Sequence, residues 1–231
     1  MKIGVLKWCS SWPIFKQLFP VLIIIVAGFI GPKHAWADWT GISVNIENTD
    51  SDWIVGGQSK RADISSLSFR IEDTTLSGLR VGATMGRSTI RLGDRSSPVI
   101  DQKFDAEFFG VYLRQPIRIN DNFSVFGLLS YRFNSGDDLN EIDTGQIEWH
   151  ERLFTLGLSA RFASFRIAPF VSFRSIDGDV NQNDVIEVFD SDESYSRGFS
   201  LDYFVEPSAY LRLEYTSGDV EGGFLRFVRE Y

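Results

Sequence analysis

Residues 221–231 read Glu-Gly-Gly-Phe-Leu-Arg-Phe-Val-Arg-Glu-Tyr, and the reading of this stretch decides the fold. Side chains of an extended strand alternate between its two faces. Leu225, Phe227 and Tyr231 then share one face, and Arg226 and Glu230 share the other. A soluble domain seldom closes on a charged, alternating strand with an aromatic as its last residue. A strand that closes a barrel in lipid does so naturally, with one face on hydrocarbon and an aromatic at the interface. Arg229 falls on the lipid side, two residues from the end, where a long side chain can snorkel to the interface.

The same alternation recurs back along the chain in segments of about 9–12 residues, a length that crosses a bilayer at a tilt. The expected strands are 39–47, 63–72, 76–87, 104–115, 123–133, 149–162, 165–176, 195–206, 209–216 and the last stretch. The pair 63–72 and 76–87 is the clearest hairpin: Leu67, Phe69 and Ile71 oppose Ser68, Arg70 and Glu72, and Val81, Ala83 and Met85 oppose Gly82, Thr84 and Gly86. The strand 39–47 is the weakest of the set, and it must close against the last one. Pro169 inside 165–176 predicts a bulge, because proline donates nothing to a ladder.

The connections 48–62, 88–103, 134–148 and 177–194 read as long polar loops, whereas 73–75, 116–122, 163–164 and 207–208 are short. The alternation breaks at 217–219, where a long loop is due. With the last strand, this pattern resembles Gram-negative outer-membrane β-barrels, which have short periplasmic turns and longer outer loops. The resemblance covers the chain from residue 38 at the level of pattern only. It implies an all-β, antiparallel up-and-down barrel of ten strands, with eight as the alternative. It places both termini in the periplasm and makes the C-terminal strand a signal for the barrel-assembly machinery.

Alternation alone does not separate such a barrel from a soluble lipocalin-like one with its faces exchanged. The polar face carries Gly82, Gly86, Gly110, Gly157 and Gly198. Glycine weakens a wet strand face, but in a narrow lumen it makes room for large neighbours. Arg70, Arg80, Arg114, Arg132, Arg161, Arg174, Arg212 and Arg226 share that face with Glu72, Glu151, Asp202, Glu214 and Glu230. Such groups can fill a small barrel by pairing across it. Tyr131, Phe133, Phe162, Phe165, Tyr195, Tyr203 and Tyr231 lie outward near strand ends, as interfacial girdles do.

The first 37 residues read as a cleaved secretory signal: Lys2, Lys7 and Lys16, an apolar core over 18–30, then Ala35-Trp36-Ala37. The barrel domain is then 38–231. The one cysteine, Cys9, lies in the signal before its apolar core, so neither a disulfide nor a lipid anchor is expected. Removing the four signal lysines leaves a net charge of −12, which argues against a nucleic-acid partner. The expected partners are outer-membrane lipid and lipopolysaccharide, with divalent cations at the acidic loops.

No chemistry stands out. His150, between Glu148 and Glu151, has neither the Asp-x-His nor the His-x-Ser spacing of barrel hydrolases and reads as a rim histidine without a catalytic role. Residues 177–188 begin like a calcium loop with Asp177, Asp179 and Asn181, but Gln182 stands where glycine is needed and Val188 where the bidentate acid belongs. No catalytic, cofactor or metal residue and no cofactor is assigned. The expectation is a structural, adhesive or weakly porin-like barrel with a charged, plugged lumen. The alternatives are an enzyme at the rim acting on lipopolysaccharide or peptides, and a secreted binding barrel.

Overall fold

Alternation along the chain becomes eleven antiparallel strands in the computed structural model, which describes residues 36–94, 100–139, 145–182, 185–191 and 194–231. They are β1 (Trp36–Val55), β2 (Gln58–Thr75), β3 (Arg80–Asp94), β4 (Ile100–Arg118), β5 (Phe123–Asp138), β6 (Gly145–Phe162), β7 (Phe165–Gln182), β8 (Val185–Ser191), β9 (Tyr195–Glu206), β10 (Ala209–Gly218) and β11 (Val220–Glu230). The signal-peptide reading of residues 1–37 falls almost wholly outside the described residues.

Ten of these strands close an up-and-down barrel. Neighbours in sequence pair in space, except that β7 pairs with β9, and β11 returns to β1. That seam runs from Gly41↔Glu230 to Ser51↔Val220, so the weakest strand of the sequence is held along most of its length. Around the closed wall, Val44, Ile46, Leu67, Ile71, Leu129, Leu156, Leu158, Phe199 and Leu213 are exposed side by side, an apolar belt. On β5 the outward run Val125–Phe133 covers eight steps of about 3.3 Å, or roughly 20 Å of height at a strand tilt near 40°. That approaches the apolar band of about 25 Å on membrane barrels.

Beyond the belt, at the end away from the termini, the barrel changes its strand number. β7 pairs with β9 over Phe165–Phe173, then with β8 over Asp177–Gln182. β1 pairs with β11 up to Ser51, then with β8 over Trp53–Val55. Strands β9 to β11 stop at this level, and β8 bridges the gap they leave. Eight strands, β1 to β8, carry on as a narrower closed dome.

The dome corrects the four long loops. Residues 48–62 are the ends of β1 and β2 around Gly56 and Gly57, with φ of 57° and 81°. Both lie in the left-handed region, as a two-residue type I′ hairpin requires. Most of 88–103 and 134–148 is strand, and 177–194 contains the end of β7 and all of β8. The strands were hidden because their polarity inverts. In the belt the inward face is polar; in the dome it is apolar. Trp53, Ala62, Ile64, Ile90, Leu92, Phe104, Ile147, Trp149, Ile176 and Phe189 form one buried cluster inside it. Trp53 stacks on Phe189 at 4.8 Å between ring centroids and lies 5.8 Å from Trp149. Arg61, Asp63, Arg87, Asp105 and Glu107 cover the outside with ion pairs.

Pro169 does not make the expected bulge. The β6–β7 register is the same on both sides of it, from Gly157↔Phe170 to Ala160↔Ile167. The two pairs between are simply absent from the ladder, and Pro169 keeps its place opposite Phe199 on β9.

Candidate functional site

The alternation that puts leucines and phenylalanines on the belt turns their neighbours inward. The enclosed space is a chamber of about 200 Å³ beneath the dome core. Its charged groups fall into clusters that tie distant strands together. Near the termini, Arg80 Nη1 donates to Glu72 and Glu230, both at 2.9 Å, and so joins β2 and β3 to β11. Glu72 also accepts from Tyr112 Oη at 2.6 Å. Asp202 accepts from Arg166 Nε at 2.6 Å and from Arg212 Nε and Nη2 at 2.6 and 2.9 Å. At mid-height Arg132 meets Glu151 at 2.6 Å and Glu47 at 3.6 Å.

The highest cluster sits where the strand number changes. Arg174 leaves β7 at the fork and donates to Asp219 at 2.8 Å and to Ser51. Ser51 Oγ in turn donates to Asp219 at 3.3 Å. The Arg174 and Asp219 side chains are 5% and 1% exposed, so removing either charge strands the other in a dry space.

Sequence reasoning placed the lumen arginines and their acids on the right face. It missed Glu47, Arg166 and Asp219. Alternation from Asn45 and Ile167 was enough to find the first two. Asp219 lies in a turn whose inward fold no local pattern encodes. The glycines do make room for large side chains, but from the adjacent strand, not from across the lumen. Gly82 faces Tyr112, Gly86 faces Phe108, Gly157 faces Phe126 and Gly198 faces Phe170 as direct partners. A Cβ at Gly82 would sit 2.3 Å from the Tyr112 ring, and one at Gly157 would sit 2.4 Å from the Phe126 ring.

His150 is on the outer wall of β6, where its Nδ1 and Tyr131 Oη are 2.5 Å apart and Phe133 flanks the ring. Arg152 beside it pairs with Asp177 at 2.6 Å. Asp177 and Asp179 belong to the straight end of β7 and do not curl about a centre, and Asn183 and Asp184 lie outside the described residues. Among the described residues no three acids or histidines are grouped as metal ligands.

The chain folds as a closed antiparallel β-barrel with an apolar outer belt, an architecture that resembles outer-membrane barrels. No family model matches the sequence, and no curated protein matches it. The fold is similar to the translocator domain of autotransporter NalP from Neisseria meningitidis, at 11% identity and a TM-score of 0.48, over 96% of this chain and 97% of that one. It is similar to the outer membrane protease OmpT from Escherichia coli, at 12% identity and a TM-score of 0.43, over 83% and 93%. It is also similar to Ail, the attachment invasion locus protein of Yersinia pestis, at 14% identity and a TM-score of 0.41, over 83% and 97%.

Proposed function

We propose that this chain is an integral outer-membrane protein that holds a rigid eight-strand dome above the membrane, as a structural and adhesive element and not as a channel or an enzyme. The observation that carries this reading is the apolar core of the dome. Trp53, Trp149, Phe104 and Phe189 are almost fully buried across the barrel axis, where a conducting pore needs water. Burying each such side chain contributes about 1.5–3 kcal/mol, so the core is costly to open. The apolar belt and its aromatics support this reading, with lipid around the lower wall and the short turns toward the periplasm.

Adhesion is favoured by the outside of β8. Ile186 and Val188, alternating with the buried Phe189, are 65% and 72% exposed on its outer face, and Val185 at its start is 60% exposed. Large apolar groups displayed in water beyond the membrane mark contact surfaces. The partners under this reading are lipopolysaccharide and lipid at the belt, the barrel-assembly machinery at β11, and divalent cations at the acidic dome wall.

The test is planar-bilayer conductance of the refolded protein, with its folding checked by heat-modifiable gel mobility. The expected result is a silent membrane. Stable single-channel steps would overturn the closed-lumen reading, and recovery of the protein in the soluble periplasm would overturn the membrane reading.

A further inference from the structure

We propose that the chamber under the dome is a binding site for a small tetrahedral oxyanion of the phosphate class, gripped by Arg70, Arg114 and Arg226. Six arginines and four glutamates line the chamber. Most of them answer one another. Arg132 is met by Glu151 and Glu47, Arg174 by Asp219, Arg212 by Asp202, and Glu72 by Arg80. What is left is Arg70, Arg114 and Arg226 against Glu214.

The register shows why these cations lack carboxylates. Arg80 stands directly opposite Arg114 on the β3–β4 ladder, and Arg212 directly opposite Arg226 on β10–β11. Like charges facing each other across a ladder repel. Protein acids relieve one member of each pair: Glu72 and Glu230 take Arg80, and Asp202 takes Arg212. The second members, Arg114 and Arg226, have no carboxylate within ion-pair distance among the described residues.

The remaining contacts hold these guanidiniums while leaving N–H groups to donate. Arg70 lies over the Tyr112 ring at 4.3 Å and Arg114 over the Phe126 ring at 4.4 Å. A ring face engages the flat of a guanidinium and leaves its edge free. Nε of Arg70 and Nε of Arg226 are buried with no protein acceptor. Over the lumen, Arg70, Arg80, Arg114, Arg132, Arg166, Arg174, Arg212 and Arg226 face Glu47, Glu72, Glu151, Asp202, Glu214, Asp219 and Glu230, which leaves one net positive charge in a space of low dielectric, where uncompensated charge is costly. Dihydrogen phosphate carries one negative charge, and its oxygens match the fork of arginine donors. A space of about 200 Å³ admits an ion of this size, since one water takes about 30 Å³ of liquid volume. The dome core closes one end, so the anion enters from the end that the proposed function places in the periplasm.

The experiment is equilibrium dialysis of the refolded, detergent-solubilised chain against radiolabelled inorganic phosphate, with ionic strength held by sodium chloride. The expected result is one saturable phosphate per chain, displaced by sulfate and not by chloride. Arg114→Met and Arg226→Met, each checked for heat-modifiable mobility, should weaken binding by about tenfold or more, as loss of a charge-assisted contact does. Should either fail to fold, Arg114→Lys decides: it keeps the charge and loses the fork, and affinity should fall several-fold. The absence of saturable binding in the wild type would overturn the proposal. So would unchanged affinity in the folded variants. Neither result bears on conductance, so the two readings fail separately.

Discussion

At the scale of single residues, the lumen is organised by vacated side-chain positions. Gly82 is required because the Tyr112 ring lies on its backbone, held there by Arg70 above and by Glu72 at its hydroxyl. Gly82→Ala forces that ring off a well-anchored site. The expected cost is about 1–3 kcal/mol, as for other overpacked interiors, read as a lower urea midpoint in detergent. A Gly82→Ala/Tyr112→Ala double variant should then lose less than the two single changes added together, because the two positions compete for one space. On the dome, Asp50 and Asp63 share Arg61 at 2.6 and 2.9 Å. Burial pushes the Asp50 carboxyl above its ordinary value, its hydrogen bond to Asp63 adds to the shift, and Arg61 opposes it. A carboxyl raised on folding contributes stability that is present at low pH and is lost as pH rises through its folded value. Asp50→Asn, which mimics the protonated form, should flatten that part of a melting-temperature profile measured from acid to neutral pH. An unchanged profile would remove Asp50 as its source.

At the scale of elements, the fork where β7 exchanges β9 for β8 is the point on which the architecture depends. The Arg174–Asp219–Ser51 cluster pins the β10–β11 turn to β7 and β1 at that level. Asp219→Ala leaves a buried guanidinium without its acid and should cost about 3–5 kcal/mol. Asp219→Asn keeps hydrogen bonding and should cost less; equal losses would mean that the charge is not what holds the turn. The dome has its own weak point. Trp53→Ala removes the ring that joins Phe189 and Trp149, at about 3–5 kcal/mol for a large aromatic in a core. The measurable outcome is protease cutting in the β1–β2 tip on intact cells expressing the variant, where the wild-type dome resists.

At the scale of the molecule, one closed wall solves two different solvent problems. In the belt the outside is apolar and the inside is polar and largely ion-paired. In the dome the outside is charged and the inside is packed like a soluble core. The three shorter strands make the change of diameter, from ten strands to eight, and the narrower tube can be filled by side chains alone. Its apolar core lies at the far end of the barrel, with the charged chamber beneath. The pairing of a side-chain-filled dome with an arginine-rich chamber is what gives the conductance and dialysis experiments opposite expected signs.

The sequence by itself determined the all-β class, the outward apolar residues and the lumen arginines, and it favoured ten wall strands over eight. All of these follow from period-two alternation, which is local and survives without tertiary contacts. Only the tertiary structure decided the dome. Its strands continue the same alternation with the sign reversed, and a polar outward face on an apolar inward one reads locally as a loop between membrane strands. Which arginines are answered by acids was also beyond the sequence. Arg80 and Arg114 lie 34 positions apart in the chain, yet share one ladder position. The acid that answers Arg80 from the far seam, Glu230, reaches it only because β11 closes on β1. Closure is a property of the whole wall, and it sets the charge that the chamber holds.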